Sequence, residues 1–233
     1  MYPVESKHRG GTVGVPCGTH PRYLEFENAL EALQVPSGTT SLRLPGSNVT
    51  RNCEMISDLM AGEWLWLLGD DHTFPADTLL KLLDHNVDVV VPICSRRGPP
   101  FLPVLYKDLD IPRGVCTVYT WQELGWLTGL VTVAGAGSGG MLIRHHVLDA
   151  LTKPRFENAT TPDGAVAGED ITLCDKITRE GYTIWADLDQ TIGHLTSVDI
   201  RPVRGPAGWT INGIFDRRIL PLFDPSATPP HPA

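Results

Sequence analysis

The sequence has few cysteines, and they are too scattered to suggest a disulfide framework or a zinc site built from cysteines. The five are Cys17, Cys53, Cys94, Cys116 and Cys174, and no two of them form a Cys-x-x-Cys pair. An odd number of cysteines in apolar surroundings predicts reduced, mostly buried thiols, as in a cytosolic protein.

Long hydrophobic runs are also missing. No stretch approaches the roughly 18 consecutive apolar residues that a bilayer crossing requires, and the first residues do not have the charged-then-apolar pattern of a secretory signal. We therefore expect a cytoplasmic protein without a membrane partner.

Positive charge is in the minority. The chain has 19 Lys and Arg against 27 Asp and Glu, a formal net charge of −8, so its overall field does not favour nucleic acid or anionic membranes. Local basic clusters occur at residues 96–97, 144–146, 201–204 and 217–218, and solvated surface charge is the simpler interpretation of each.

Length and composition favour one domain. With 233 residues, 42% of them hydrophobic, the chain can bury a full core, and we expect a single domain over residues 1–223. The last ten residues, 224–233, contain four prolines and are predicted to be disordered.

Strand and helix patterns alternate through the first half of the chain. Apolar runs predict strands at 12–17, 39–44, 64–69 and 87–92, and amphipathic patterns predict helices at 22–33, 48–60 and 76–84. This alternation predicts an α/β fold with a mostly parallel, doubly wound sheet. After a proline-rich loop at 95–103, strand patterns near 104–107, 115–120 and 130–134 predict a small antiparallel or mixed extension.

The most informative segment is the apolar run from Trp64 to Leu68, which ends in Gly69 and then in Asp70, Asp71 and His72. A run of this kind between helical patterns is typical of a buried parallel strand. Ligands of open α/β sheets bind at the carboxyl ends of such strands, so these side chains are candidates to hold a metal ion and a phosphorylated ligand. The alternative is a turn followed by an Asp helix cap.

A second acidic pair, Glu169-Asp170, stands at the start of a helical pattern that ends at Gly181, and His194 follows later. A helix N-terminus favours carboxylates by roughly 0.3–1 kcal/mol, which is a structural explanation of the pair. The functional alternative is general-base catalysis.

The glycine-rich segment 135–140 matches a dinucleotide-binding pattern in letters only. That fingerprint requires a helix opening at the glycines, but residues 141–143 favour a strand, so we reject it. Glycines permit close approach of the backbone, either to a ligand or in a tight turn.

The order of these motifs resembles that of the type-A (GT-A) glycosyltransferases. The motifs are a helix containing Asn48, Arg51 and Asn52, a strand that ends in acids, a glycine-rich segment, a helix that starts with Glu-Asp, and a late histidine. The resemblance covers residues 12–196 and is to family-two-like enzymes and their short bacteriophage relatives. It implies a single GT-A-like domain that transfers a sugar from a nucleotide-diphosphate sugar, most often a UDP-sugar, to a hydroxyl. A phage-encoded chain would act in the host cytoplasm.

The resemblance also implies roles for particular residues. Asp170 would be the catalytic base and Glu169 would position the acceptor. The residues implied in donor binding are Cys17, Asn48, Arg51, Asn52, Asp70, Gly139 and Gly140.

For the metal, two alignments of the strand end are open. One uses Gly69-Asp70-Asp71, in which the first acid of the usual Asp-x-Asp is missing, and the other uses Asp70-Asp71-His72; we prefer the second. The implied ligands are then Asp71 and His72, with Asp70 and His194 as further candidates. Oxygen and imidazole ligands suit Mn²⁺, with Mg²⁺ as the alternative.

The acceptor is the least determined part. Short phage relatives point to a 5-hydroxymethylpyrimidine in DNA, flipped out of the helix, with a virion protein or a small molecule as alternatives. A nucleotidyltransferase is a second class of enzyme with this fold, but the basic glycine-rich signature that it would show after the first strand is missing. A non-catalytic nucleotide-sugar-binding domain is the third alternative.

The Pro/Gly-rich segment 201–209, which contains Trp209, is predicted to close over the donor as a lid.

Overall fold

The computed structural model of the chain describes residues 1–18, 23–205, 208–215 and 218–223. Numbered along the chain, the strands are β1 (Tyr2–Val4), β2 (Thr12–Cys17), β3 (Gln34–Pro36), β4 (Thr40–Pro45), β5 (Trp64–Leu67), β6 (His72–Thr73), β7 (Val89–Ile93), β8 (Leu105–Asp110), β9 (Val115–Val118), β10 (Leu130–Val133), β11 (Gly135–Ala136), β12 (Leu142–Arg144), β13 (Ala159–Thr160), β14 (Val166–Ala167), β15 (Ile184–Thr191), β16 (Gly193–His194), β17 (Asp199–Gly205), β18 (Gly208–Phe215) and β19 (Arg218–Phe223). The α-helices are α1 (Leu24–Ala32), α2 (Val49–Leu59), α3 (Thr78–Asp84), α4 (Trp121–Leu124), α5 (His145–Ala150) and α6 (Glu169–Arg179). The predicted disordered tail, 224–233, and the predicted first residue of the first helix, Arg22, lie outside the described residues.

The central sheet has seven strands in the order β10-β15-β7-β12-β5-β2-β4. Three neighbouring pairs are parallel (β15 with β7, β5 with β2, β2 with β4) and three are antiparallel. The sheet is therefore mixed, and the prediction of a mostly parallel sheet is corrected. Two strands are the reason: β12 enters between β5 and β7 and runs antiparallel to both, and β10 runs antiparallel to β15.

Helices cover both faces of this sheet. Apolar residues of α2, α5 and α6 pack in one hydrophobic cluster with Leu65 and Leu67 of β5. Residues of α1 and α3 pack in a second cluster with Trp64 and Trp66, which point to the opposite face. This alternation gives a three-layer α/β/α arrangement with β5 at its centre.

Strand β5 is fully buried on both faces. Each of its large side chains contributes about 1.5–3 kcal/mol when it is removed from water. The indole groups are satisfied as well, since Trp66 Nε1 donates to the carbonyl oxygen of Gly140 at 2.7 Å and Trp64 Nε1 donates to that of Arg9 at 2.9 Å. The strand that carries the predicted acids is thus held at a fixed depth and register.

Two of the smaller sheets have three strands each. Strands β8, β9 and β11 form an antiparallel sheet in the region where an extension was predicted, whereas β10, from the same predicted group, joins the central sheet. Strands β17, β18 and β19 form a second antiparallel sheet. Most of the predicted lid segment, 201–209, lies in β17 and β18, and its residues 206 and 207 lie outside the described residues.

None of the five cysteines, which all lie in the described part of the chain, forms a disulfide, and all except Cys116 are buried, as the composition predicted. In the described part of the chain, none of the helices combines the length and the apolarity needed to cross a bilayer.

Asn48 caps helix α2, because its side-chain oxygen accepts a hydrogen bond from the backbone N–H of Arg51 at 2.9 Å. We expect Asn48→Ala to lower the free energy of unfolding by about 1 kcal/mol in urea titrations, and Asn48→Asp to retain most of it. Asn158→Ala, in an exposed loop, is the control and should have no measurable effect. An Asn48→Ala protein as stable as the wild type would show that the cap contributes nothing.

Candidate functional site

The carboxyl ends of β2, β5 and β7 open onto a cavity of about 1180 Å³. The glycine-rich segment and the start of α6 form other parts of its wall. The predicted site residues that line it are Asp70, Asp71, His72, Gly139, Glu169, Asp170 and His194.

Asp71, His72 and His194 converge although more than 120 residues separate the two histidines in the chain. The short strands β6 and β16 pair antiparallel with His72 directly opposite His194, and the two imidazoles stack with their centroids 4.5 Å apart. Asp71 contacts both rings, with Oδ1 at 3.1 Å from His72 Nδ1 and Oδ2 at 3.3 Å from His194 Nε2. The structure thus brings together three of the four predicted metal ligands.

The electrostatics of this group favour charged forms. Burial alone would raise the pKa of the Asp71 carboxyl, but hydrogen bonds with His194 and His72 hold it well below its usual range. Burial would lower the pKa of His194, yet its hydrogen bonds with Asp71 and Cys94 raise it to about 9. In the absence of a cation, the carboxylate is therefore paired with imidazolium.

Sequence reasoning missed two other members of the site. Arg97 donates from a guanidinium nitrogen to Asp71 Oδ2 at 3.0 Å, and Cys94 lies against both histidines. Burial opposes ionisation of Cys94, but hydrogen bonds with His194 and His72 lower the pKa of its thiol to about 7. Because Cys94 directly follows the end of β7, the strand-end rule that selected Asp70 could also have selected it.

Asp70 points elsewhere. Its Oδ2 accepts a hydrogen bond from the backbone N–H of Gly18, just beyond the end of β2, at 2.8 Å. This contact follows from the parallel pairing of β2 with β5, which places the two strand ends side by side. Asp70 lies in the same cavity but outside the group around Asp71.

Two glycines make room for the His72 imidazole. A Cβ added at Gly69 would lie 2.6 Å from His72 Nδ1 and 2.7 Å from Asp71 Oδ1. At Gly139 it would lie 2.6 Å from His72 Cε1. The acid that the first metal alignment misses at position 69 is therefore excluded by the packing of His72.

Asp170 reaches the cavity from the first turn of α6. This helix packs closely on β11, where the backbone N–H of Ala136 lies 3.4 Å from the Cys174 sulfur. A Cβ at Gly135 would meet the Cys174 side chain at 3.2 Å, so the glycine permits this approach. Burial, followed by the neighbouring charge of Glu169, raises the pKa of Asp170 to about 6.

Other predicted donor-binding residues have structural contacts. Asn52 is buried and donates from Nδ2 to the carbonyl oxygen of Leu44 at 3.0 Å, which holds the connection between β4 and α2. Gly140 has φ +91°, and a Cβ there would lie 2.8 Å from Ile192 and 2.9 Å from Pro92. Its conformation and its close packing both require glycine.

The remaining three residues predicted to bind the donor do not line the cavity. Cys17 is buried in β2, Arg51 is exposed on α2, and Asn48 caps that helix, although their neighbours Gly18, Ser47 and Val49 do line it. Donor binding stays a prediction for all seven residues, including Asp70 and Gly139, which line the cavity.

Comparison with known proteins supports the fold. No protein-family model matches the sequence, and no curated protein matches it in sequence. Among solved structures, A197 from STIV is similar over 94% of this chain and 98% of its own, with a TM-score of 0.54 and 15% identity. GalNAc-T7, solved with UDP, GalNAc and Mn²⁺, is similar over 79% of this chain and 43% of its own, with a TM-score of 0.52 and 11% identity.

Identities this low establish the fold alone. The chain has a mixed α/β, GT-A-like fold, which confirms the predicted architecture at that level. The closer resemblance to family-two-like and bacteriophage enzymes stays a prediction.

We expect Gly69→Ala and Gly139→Ala each to lower the free energy of unfolding by about 1–3 kcal/mol, because the new methyl group collides with the His72 ring. Gly98→Ala is the matched control, since a Cβ there meets nothing within 4 Å. Urea titrations of the three variants measure the effect. If Gly69→Ala were as stable as Gly98→Ala, packing would not explain the missing acid.

Asp170→Asn should stabilise the fold at neutral pH. The folded pKa of about 6 exceeds the unfolded value of 3.8, so the unfolded chain releases this proton first as pH rises. The wild type then loses stability between about pH 4 and 6, and the loss persists above pH 6. Asparagine cannot ionise and so removes this loss of stability. The free energy of unfolding should therefore rise by about 1–3 kcal/mol at pH 7.5 and stay unchanged near pH 3.5.

Asp175→Asn is the control on the same helix. Asp175 is ion-paired with Arg179 at 2.7 Å, so its replacement should slightly lower stability at pH 7.5. Unfolding titrations at both pH values test the pair, and a destabilised Asp170→Asn protein at pH 7.5 would contradict the assignment.

Proposed function

We propose that the chain is a metal-dependent glycosyltransferase that moves a sugar from a nucleotide-diphosphate sugar to a hydroxyl acceptor. The observation that carries the proposal is that Asp71, His72 and His194 line the same cavity as Asp170, within a GT-A-like fold. One group is suited to bind a cation and the other to accept a proton, as the two halves of a sugar transfer require.

The donor set fits a divalent cation. One carboxylate and two imidazoles from separate elements already face one another, and nitrogen with oxygen ligands suits Mn²⁺ better than Mg²⁺. Bound there, such an ion would neutralise charge on the diphosphate leaving group. Arg97, which reaches Asp71 from an exposed loop, is placed to turn towards the same phosphates.

At the acceptor, Asp170 would remove the hydroxyl proton as the oxygen attacks the anomeric carbon. A pKa of about 6 leaves the carboxylate mostly ionised at neutral pH and a stronger base than an exposed aspartate. Its Oδ1 already accepts a hydrogen bond from the backbone N–H of Ile171, so Oδ2 is the oxygen left for the acceptor. Glu169 also lines the cavity and would position the acceptor.

The nucleotide would bind where the ends of β2 and β5 meet the start of α2. Gly18, Asp70 and Ser47 line that part of the cavity, and a helix N-terminus favours an anionic ligand. We propose a UDP-sugar as the donor. GalNAc-T7, which is similar in fold, was solved with UDP and GalNAc, and this supports the choice.

For the acceptor we propose a 5-hydroxymethylpyrimidine in DNA. Arg97 at the cavity and the neighbouring exposed Arg96 supply positive charge where a phosphate backbone would pass. A virion protein, a small molecule and a non-catalytic binding role are outcomes of the test.

Mass spectrometry of the products tests the proposal directly. The protein is incubated with a panel of nucleotide sugars, with Mn²⁺ or Mg²⁺, and with hydroxymethylcytosine-containing DNA, a free nucleoside or no acceptor. A hexose-sized mass gain on the DNA base establishes donor and acceptor together. Metal-dependent donor hydrolysis without a DNA product keeps the glycosyltransferase and rejects DNA, whereas no turnover with any donor favours the binding domain.

Transfer should depend on pH through Asp170. We expect kcat/KM to rise with pH through about 6 and Asp170→Asn to reduce it by about 10²-fold or more, since a neutral amide cannot accept the proton. Asp175→Asn should leave it unchanged. An Asp170→Asn enzyme with wild-type kcat/KM, or a product of retained anomeric configuration by NMR, would remove Asp170 from this role.

A further inference from the structure

Cys94 belongs to the group of side chains that faces the proposed cation. One donor atom each of His72, Cys94 and His194 can be chosen so that all three lie within 4.8 Å of one another. The three residues come from different parts of the fold: β6, the position after β7, and β16. His72 and Cys94 are only 6% and 7% exposed, so their polar atoms face the protein and the cavity rather than bulk water.

The backbone next to Cys94 also orients one of the imidazoles. The carbonyl oxygen of Ser95 lies 2.9 Å from His194 Nδ1 and accepts its hydrogen bond. With Nδ1 as the donor, Nε2 of the neutral ring keeps its lone pair for a metal. A backbone carbonyl on the non-ligating nitrogen is a common support for metal-bound histidine.

The His72 ring is also held, because it is buried, stacks on the His194 ring and occupies the space that Gly69 and Gly139 leave by having no side chain. Two imidazoles held in this way, with a buried thiol between strand ends, form a preorganised set of nitrogen and sulfur donors. Sulfur changes which metal the site prefers. Thiolate ligands select zinc and other borderline or soft cations, whereas magnesium and manganese prefer oxygen.

We propose that Cys94 is a metal ligand together with His72 and His194, and that the site therefore prefers zinc over manganese and magnesium. On binding, metal–sulfur and metal–nitrogen bonds replace the S–H bond of Cys94 and the Nε2–H bond of the His194 imidazolium, and both protons pass to solvent. The inference shares with the proposed function a cation at this site and the ligands His72 and His194, but it does not depend on sugar transfer. It replaces the expectation of manganese, which rested on Asp71 and the histidines without the thiol.

Cobalt provides a direct readout of the sulfur, because Co²⁺ bound to a thiolate shows a charge-transfer band in the near ultraviolet. We expect one equivalent of Co²⁺ to produce this band in the untagged, metal-free protein and zinc to abolish it by displacement. Magnesium at a hundredfold excess should leave the band in place. Cys94→Ser should remove the band and weaken zinc binding, measured by calorimetry, by at least tenfold.

Cys116→Ser is the matched control, since Cys116 is the exposed cysteine and lies outside the group. It should retain both the band and the zinc affinity of the wild type. If Cys94→Ser does not fold, X-ray absorption of the zinc-loaded wild type decides, because a zinc–sulfur distance of about 2.3 Å is expected there. A shell of nitrogen and oxygen only, or a Co²⁺ complex without the band, would overturn the inference.

The two proposals can fail separately. Sugar transfer supported by Mn²⁺ in a protein whose cobalt complex lacks the thiolate band would keep the enzyme and reject Cys94 as a ligand. A thiolate band and a one-to-one zinc complex, with no turnover of any donor under any metal, would keep the ligand and reject the glycosyltransferase.

Discussion

The burial of β5 is the constraint on which the rest of the structure depends. Leucines on one face and tryptophans on the other pack against separate helical layers, so the strand cannot slide without exposing both sets. After this strand the chain turns between Gly69 and His72, where the backbone N–H of His72 donates to the Gly69 carbonyl oxygen at 3.3 Å, and this turn places Asp71 and His72 at the carboxyl end of the strand. The position of the candidate site is thus fixed by apolar burial a few residues away.

At that edge, one carboxylate organises the polar groups. Asp71 contacts His72, His194 and Arg97, so the charge that would be costly to bury alone is compensated from three directions. The same contacts keep the two imidazoles close to each other, although they would repel if both were protonated. A cation in this position would take over the compensation, because its positive charge would attract the Asp71 carboxylate as the imidazolium and guanidinium groups do.

At Asp170 the surroundings disfavour the charged form of the carboxyl, whereas at Asp71 they favour it. Asp71 is surrounded by cationic partners, but Asp170 is buried next to another carboxylate, so its charged form is disfavoured and its pKa is raised. Two acids in one cavity with pKa values displaced in opposite directions are suited to different roles. The difference arises from their neighbours and not from the residue type.

Several features of the fold and of the candidate site could be predicted from the sequence. The other features depend on contacts between segments that are distant in the chain. The apolar run to Leu68 and the helical spacing after Glu169 determined a buried strand and an amphipathic helix, and with them the acids at their ends, because these patterns act over a few residues. The antiparallel entry of β12, the pairing of His72 with His194 and the approach of Cys94 were decided only by the tertiary structure. Each of these contacts joins segments that are far apart in the chain. Which segments become neighbours depends on how strands and helices pack around the central sheet, and local sequence preferences do not determine that packing.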